Sequence, residues 1–218
     1  TNTYDGALAT DVAAEYDLGS MAIAEDLANA LRLQGFKCIR TRGNNFEPRT
    51  KEVVRMMTAQ KNAGLKTTNI SEDERKEMPN IKNINLQDVY DKWKGTLALN
   101  PVTNDMYEVS NETDLLKNPP ALPDTYTAYY KTVAIALRDS GFDPYVSMSG
   151  GAFVGDMIFF DLQLQNGILD YSNIYNFHGY SGIVGKAEYS RKVSNAYSPE
   201  GSIRPTWMTE NGLKVYSA

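Results

Sequence analysis

Apolar residues recur at helical spacing in "SMAIAEDLANALRLQG", where Met21, Ala24, Leu27, Ala28 and Leu31 line one face, Ser20 caps the start and Gly35 marks the end. "TKEVVRMMTAQKNAG" repeats the pattern and stops at Gly64, and "LQDVYDKWKGTL" and "TYTAYYKTVAIALRDSG" read as two further helices. Asp156 to Gly167 is expected to be helical as well. Between these segments lie short β-rich runs: "FKCIRTR", "LKTTNI", "MYEVSNE" and "YVSMSGG", with "SNIYNFHGY" and "RPTWMTENG" following towards the end. The polar stretch from Ser71 to Asn85 reads as a loop.

Strands that alternate with helices of this length predict parallel pairing through helical crossovers. No shift in composition marks a linker, so residues 1–218 are expected to form one α/β domain. A nucleotide-binding open sheet would carry a glycine-rich strand-to-helix turn, and neither G-x-G-x-x-G nor a P-loop is present. "SMSGG" reads as a tight connection. A closed parallel barrel is therefore favoured, and in such a barrel chemistry gathers where the strands end. Those ends carry Arg40 and Arg42, Asn69, Asn111 and Glu112, Ser149 to Gly151, His178 and Tyr180, and Glu210 and Asn211, all polar or small. Alternation along a strand puts Arg40 and Arg42 on one face, Glu108, Ser110 and Glu112 on another, and His178 and Tyr180 on a third.

Charge narrows the choice of ligand. The net charge of -5 and pI near 5.0 disfavour a nucleic-acid groove or an anionic membrane surface, since both reward a basic face. Neutral or sugar-like partners fit better. One cysteine, Cys38, excludes an internal disulfide and a multi-cysteine zinc site, and the single His178 leaves little for a histidine-rich metal centre. Cys38 reads as a small core residue. No run has the apolar length of a membrane span. Asn69 in "NIS" is a formal glycosylation acceptor, and the expectation leans towards a secreted or periplasmic setting.

Several strand ends carry a family resemblance. "YEVSNE" resembles the W/Y-E-x-x-N-E end of the fourth strand in retaining glycoside hydrolases of the (β/α)8 superfamily called clan A. "WMTENG" is similar to the T-E-x-G end of the seventh strand, "YNFHGY" to the sixth-strand H-x-Y, and "FKCIRTR" to the arginine-bearing second strand. The matches run in order from Leu27 to Gly212. The resemblance implies a (β/α)8 TIM-type barrel and a retaining β-glycoside hydrolase that cleaves a polysaccharide or oligosaccharide. It also implies Glu112 as general acid/base, Glu210 as nucleophile and Asn111 on the sugar 2-hydroxyl. His178 and Tyr180 would line that subsite, with Arg40 or Arg42 beside the nucleophile.

Chemistry supports the same division of labour. Glycosidic cleavage needs one carboxyl to protonate the leaving oxygen and a second, ionised, to attack the anomeric carbon, with the two about 5 to 5.5 Å apart in retaining enzymes. No metal or organic cofactor is required. Each residue also has a plainer role when taken singly. Glu112 reads as a loop or helix-initiating carboxylate, Glu210 as the residue before an Asn-Gly turn, His178 as a structural histidine, and Arg40 or Arg42 as an ion-pair partner of Glu108. The alternatives are a carbohydrate-binding or structural barrel without turnover, and an unrelated α/β enzyme of small-molecule metabolism. No persuasive first strand precedes the first helix, and eight residues follow Glu210. A full barrel takes about 250 residues, so the expected barrel is incomplete at one or both ends, its open edges inviting a missing segment or another chain.

Overall fold

The computed structural model describes residues 9–12, 21–42, 51–71, 84–99, 104–115, 122–141, 145–147 and 157–210. The elements alternate through the chain: β1 (Ala9–Val12), α1 (Met21–Leu33), β2 (Cys38–Arg42), α2 (Lys51–Asn62), β3 (Lys66–Ser71) and α3 (Leu86–Leu99). They continue as β4 (Met106–Val109), α4 (Pro123–Asp139), β5 (Tyr145–Ser147), α5 (Met157–Gln165), β6 (Tyr175–His178), α6 (Ile183–Tyr197) and β7 (Thr206–Glu210).

Strands β1 to β5 pair in sequence order, every pair parallel, and β6 pairs parallel with β7. A parallel bridge from Ser147 to Ile174 carries the order on from β5 to β6. Neighbouring strands that follow the chain with a helix between them are the arrangement of a (β/α)8 barrel. Curvature decides between barrel and open sheet. In a flat sheet β2 and β7 would stand five strand spacings apart, roughly 24 Å. Yet Arg40 of β2 reaches Glu210 of β7 at 2.7 Å. The sheet bends round until these ends face each other, and the fold is a TIM-type barrel of which seven strands are described.

Alternation along the strands sorts the core into an inside and an outside. Cys38, Met106 and Ile174 meet inside the barrel with Trp207 packed on them, and the Cys38 thiol lies 3.2 Å from the Thr68 hydroxyl. Ile39, one residue on from Cys38, turns outwards onto Ala24 and Ala28 of α1 and Ala59 of α2. Likewise Tyr107, Val109 and Tyr175 face a larger cluster that includes Trp93 of α3, Tyr126 and Tyr130 of α4, and Phe160 of α5. Next above the apolar floor, on the inward positions, come Arg40 and Glu108. The same period-two rule that buries the floor thus raises two charged side chains into the barrel mouth.

Helices α1 and α2 stop where the sequence indicates, with Gly35 and Gly64 at φ +94 and +79, a conformation glycine adopts without steric cost. Three points differ from expectation. A first strand exists: β1 pairs with β2 from Ala9↔Cys38 to Val12↔Thr41. Strand β4 ends at Val109 rather than Glu112, because Ser110 and Glu112 take positive φ, at 68 and 47, and break the ladder. Helix α6 fills a span the periodicity left unassigned; its buried positions are Ser190, Val193 and Ser194, so little apolar signal marks its inner face. Asn69 is 4% exposed within β3, which removes it as a glycan acceptor. The expected glycine turn at 149–151, Asn211, and most of the expected 71–85 loop lie outside the described residues. No helix among the described residues is long and apolar enough to cross a membrane.

Candidate active site

Every described strand-end residue named above from β2, β4, β6 and β7 converges on one crevice. Arg40 is its hub. Its Nε donates to Glu108 Oε2 at 2.9 Å, Nη1 to Glu210 Oε1 at 2.7 Å, and Nη2 to Asn111 Oδ1 at 3.4 Å. A guanidinium suits this task, since its planar fork presents donors in several fixed directions at once. Arg42 closes β2 and its side chain lies outside the described residues; Arg40 is the arginine seen against Glu210.

His178, at the end of β6, stands on the opposite side. Its Nδ1 is 2.8 Å from Glu112 Oε1 and 3.4 Å from Glu210 Oε2, while Nε2 lies 3.7 Å from Glu108 Oε1. That last separation is a charge contact, longer than a hydrogen bond. Tyr180, two residues on and half exposed, donates its hydroxyl to Glu210 Oε2 at 2.6 Å. Glu210 therefore has both carboxylate oxygens engaged, one by an arginine and one by a phenol. Glu112 is the more open of the two, with a side chain 17% exposed against 8% for Glu210.

The backbone aims these groups. Tyr126 of α4 donates its hydroxyl to the Val109 carbonyl at 2.7 Å, fixing the last ladder residue of β4. Beyond it, left-handed conformations at Ser110 and Glu112 turn the chain, and the short 3-10 helix Thr113–Leu115 follows. Left-handed φ is costly for residues with a Cβ and clusters where function demands a particular aim. Glu112 reaches the crevice by this turn, and not by the simple strand alternation read from sequence.

Electrostatics follows from burial and pairing. Burial opposes charge on Glu108, yet the Arg40 cation and the facing His178 overcome it and hold the carboxyl down at about 2. Burial also resists a charge on His178, but Glu108, Glu112 and Glu210 together raise it to about 9. Glu210 is lowered, with burial outweighed by Arg40, His178 and the Tyr180 hydroxyl. Burial and the adjacent Glu210 push the Tyr180 phenol up to about 12. At neutral pH the crevice thus holds two cations, Arg40 and His178, among three carboxyl groups.

Single oxygens of Glu112 and Glu210 and a ring nitrogen of His178 lie within 4.8 Å of one another, a donor set that suits a cation by position. Arg40 and the proton on His178 already supply positive charge there, with which a metal ion would have to compete. Glu108 is the residue the sequence reading underused. It entered as a face-mate of Ser110 and Glu112 and as an ion-pair partner of an arginine, and it proves fully buried, facing both cations and within 3.4 Å of the Thr209 hydroxyl. Its position two residues after the inward-facing Met106 was the available signal.

No known protein-family profile matches the chain, and no curated protein matches it. Solved structures do resemble it. A family 30 subfamily 8 xylanase from Clostridium acetobutylicum aligns with 80% of this chain and 49% of its own, at TM-score 0.56 and 12% identity. A family 51 α-L-arabinofuranosidase from Bifidobacterium longum aligns with 87% of this chain and 49% of its own, at TM-score 0.54 and 13% identity. A sugar phosphate isomerase/epimerase from Parabacteroides distasonis has the same TM-score, 0.54, at 9% identity, over 95% of this chain and 90% of its own. The shared property is the barrel fold, with several glycoside hydrolases among the neighbours. The chain spans about half the length of the xylanase and the arabinofuranosidase.

Proposed function

We propose that this chain is the catalytic region of a retaining β-glycoside hydrolase acting on a polysaccharide or oligosaccharide, with Glu112 as acid/base and Glu210 as nucleophile. The observation that carries the reading is the approach of these two carboxyl groups, remote in sequence, to within 4.8 Å between single oxygens across one crevice. That spacing sits with the about 5 to 5.5 Å of retaining pairs and away from the about 6.5 to 9.5 Å of inverting ones.

The surroundings support a division of roles. Glu210, held ionised by Arg40 and Tyr180, attacks the anomeric carbon and forms a glycosyl ester as the leaving oxygen departs. Glu112 accepts the Nδ1–H of His178 on Oε1, which leaves its other oxygen to carry the proton passed to the leaving oxygen. In the second half, Glu112 takes a proton from the incoming water, which releases the sugar and restores Glu210. Asn111 on the Arg40 fork is positioned to bind the sugar 2-hydroxyl, a contact that tightens as the ring flattens.

The test is turnover and trapping. A panel of aryl β-glycosides should be cleaved by the wild type, and a 2-fluoro glycoside should label Glu210, as located by peptide mass mapping. Glycan binding without cleavage across the panel would establish the non-catalytic barrel instead, and a label on any other residue would refute the nucleophile.

A further inference from the structure

Glu108 touches neither the open mouth nor, on this reading, the sugar, yet like Glu210 it faces both crevice cations. Its side chain is 0% exposed. One oxygen accepts from Arg40 Nε at 2.9 Å; the other lies 3.4 Å from the Thr209 hydroxyl and 3.7 Å from His178 Nε2. Arg40 in turn grips Glu210, and His178 grips Glu112. Each carboxyl proposed to act is thus held by a cation whose far side rests on Glu108.

We propose that Glu108 is a positioning residue, a buried anionic keystone that orients the Arg40 guanidinium and the His178 ring so that each presents a fixed donor to one of the two carboxyl groups above. The inference rests on reading Glu112 and Glu210 as the acting pair for its catalytic consequence; the contacts of Glu108 with Arg40 and His178 stand on geometry alone.

Alternatives within the crevice are weaker. Four groups face His178: Glu108 from β4, Glu112 from the turn after it, Glu210 from β7, and Tyr180 from the segment after β6. Lys186 of α6 contacts only its carbonyl, at 3.2 Å. Glu210 gives up its charge when it forms the glycosyl ester, and Glu112 is the more solvated of the acting pair. Glu112 also changes protonation in each catalytic cycle. A histidine that depended on Glu112 alone would lose its proton's support midway through the reaction, whereas Glu108, shut off from water, keeps a constant charge.

His178 is the only histidine in the sequence, so its ring can be titrated by NMR without assignment ambiguity. The wild-type midpoint should lie near 9. Glu108→Gln should lower it by about one unit or more, and Glu112→Gln, which leaves the buried pair intact, should leave it well above the ordinary 6.5. Kinetically, Glu108→Gln should cut kcat about 100-fold with KM little changed, and Glu108→Asp should recover part of the loss. A wild-type midpoint at or below 6.5, or one that collapses in Glu112→Gln, overturns the proposal even if Glu108→Gln fails to fold. Should the midpoints behave as stated while no glycoside is cleaved, Glu108 keeps its electrostatic role and the hydrolase reading fails.

Discussion

Arg40 Nη1 of β2 and Glu210 Oε1 of β7 meet at 2.7 Å although the two residues are 170 positions apart in the chain. This pair closes the crevice and, through Arg40 Nε on the fully buried Glu108, is part of the core. Arg40→Met should therefore cost about 3 to 5 kcal/mol of folding stability, because it strands Glu108 as an uncompensated buried charge. Arg40→Lys should fall between, since an ammonium keeps the charge but cannot reach three acceptors in a plane. Urea unfolding curves of the three proteins give the order.

Stability should peak in mildly acidic solution. His178 is raised to about 9 in the fold from an ordinary 6.5, so its contribution is complete below 6.5 and is lost as pH rises through about 9. Glu108 is lowered to about 2 from 4.5, so its contribution is complete above 4.5 and is lost as pH falls towards 2. The two windows overlap between pH 4.5 and 6.5. Melting temperatures across this range should form a plateau that falls on both sides. His178→Gln should flatten the alkaline slope, whereas Cys38 and Tyr180, raised to about 11 and about 12, act only beyond it.

The turn that aims Glu112 stores strain at Ser110, whose φ is 68. Ser110→Gly should be more stable than Ser110→Val by about 1 to 2 kcal/mol or more, since a branched side chain fits the left-handed region poorly. Equal denaturation midpoints for these two variants would remove the strain from the account.

Gly179 lies under Met208, whose sulfur and Cγ occupy the space a Cβ would need. Gly179→Ala should cost no more than about 1 kcal/mol, because Met208 is 41% exposed and its thioether end can swing aside. Met208→Ala in the same chain should restore most of the loss. A double-mutant cycle by thermal unfolding measures that coupling.

Much of this architecture is legible from periodicity. Helices α1 and α2 carry apolar stripes that end in glycine, and the strand ends Arg40, His178 and Glu210 stand where the polar residues close each β-rich run. What escaped notice lacked an apolar signature. Strand β1 is four residues, "ATDV", half of them polar. The inner face of α6 is built largely of serines. The turn at Ser110 and Glu112 depends on backbone angles that no spacing rule encodes, so the strand was read three residues too long. Glu108 was visible as an inward position, but only the closed barrel brings it beneath both Arg40 and His178.

The floor made by Cys38, Met106, Ile174 and Trp207 has a consequence for brine. The Arg40–Glu108 pair lies above this layer of hydrocarbon and sulfur, its two side chains 4% and 0% exposed. An ionic atmosphere that at 1 M screens exposed charges beyond a Debye length of about 3 Å acts much less on a buried pair. The charge arrangement of the crevice should consequently persist at salt concentrations that dissolve the pairings of Asp105 with Lys61 and Lys66 on the outside of the molecule.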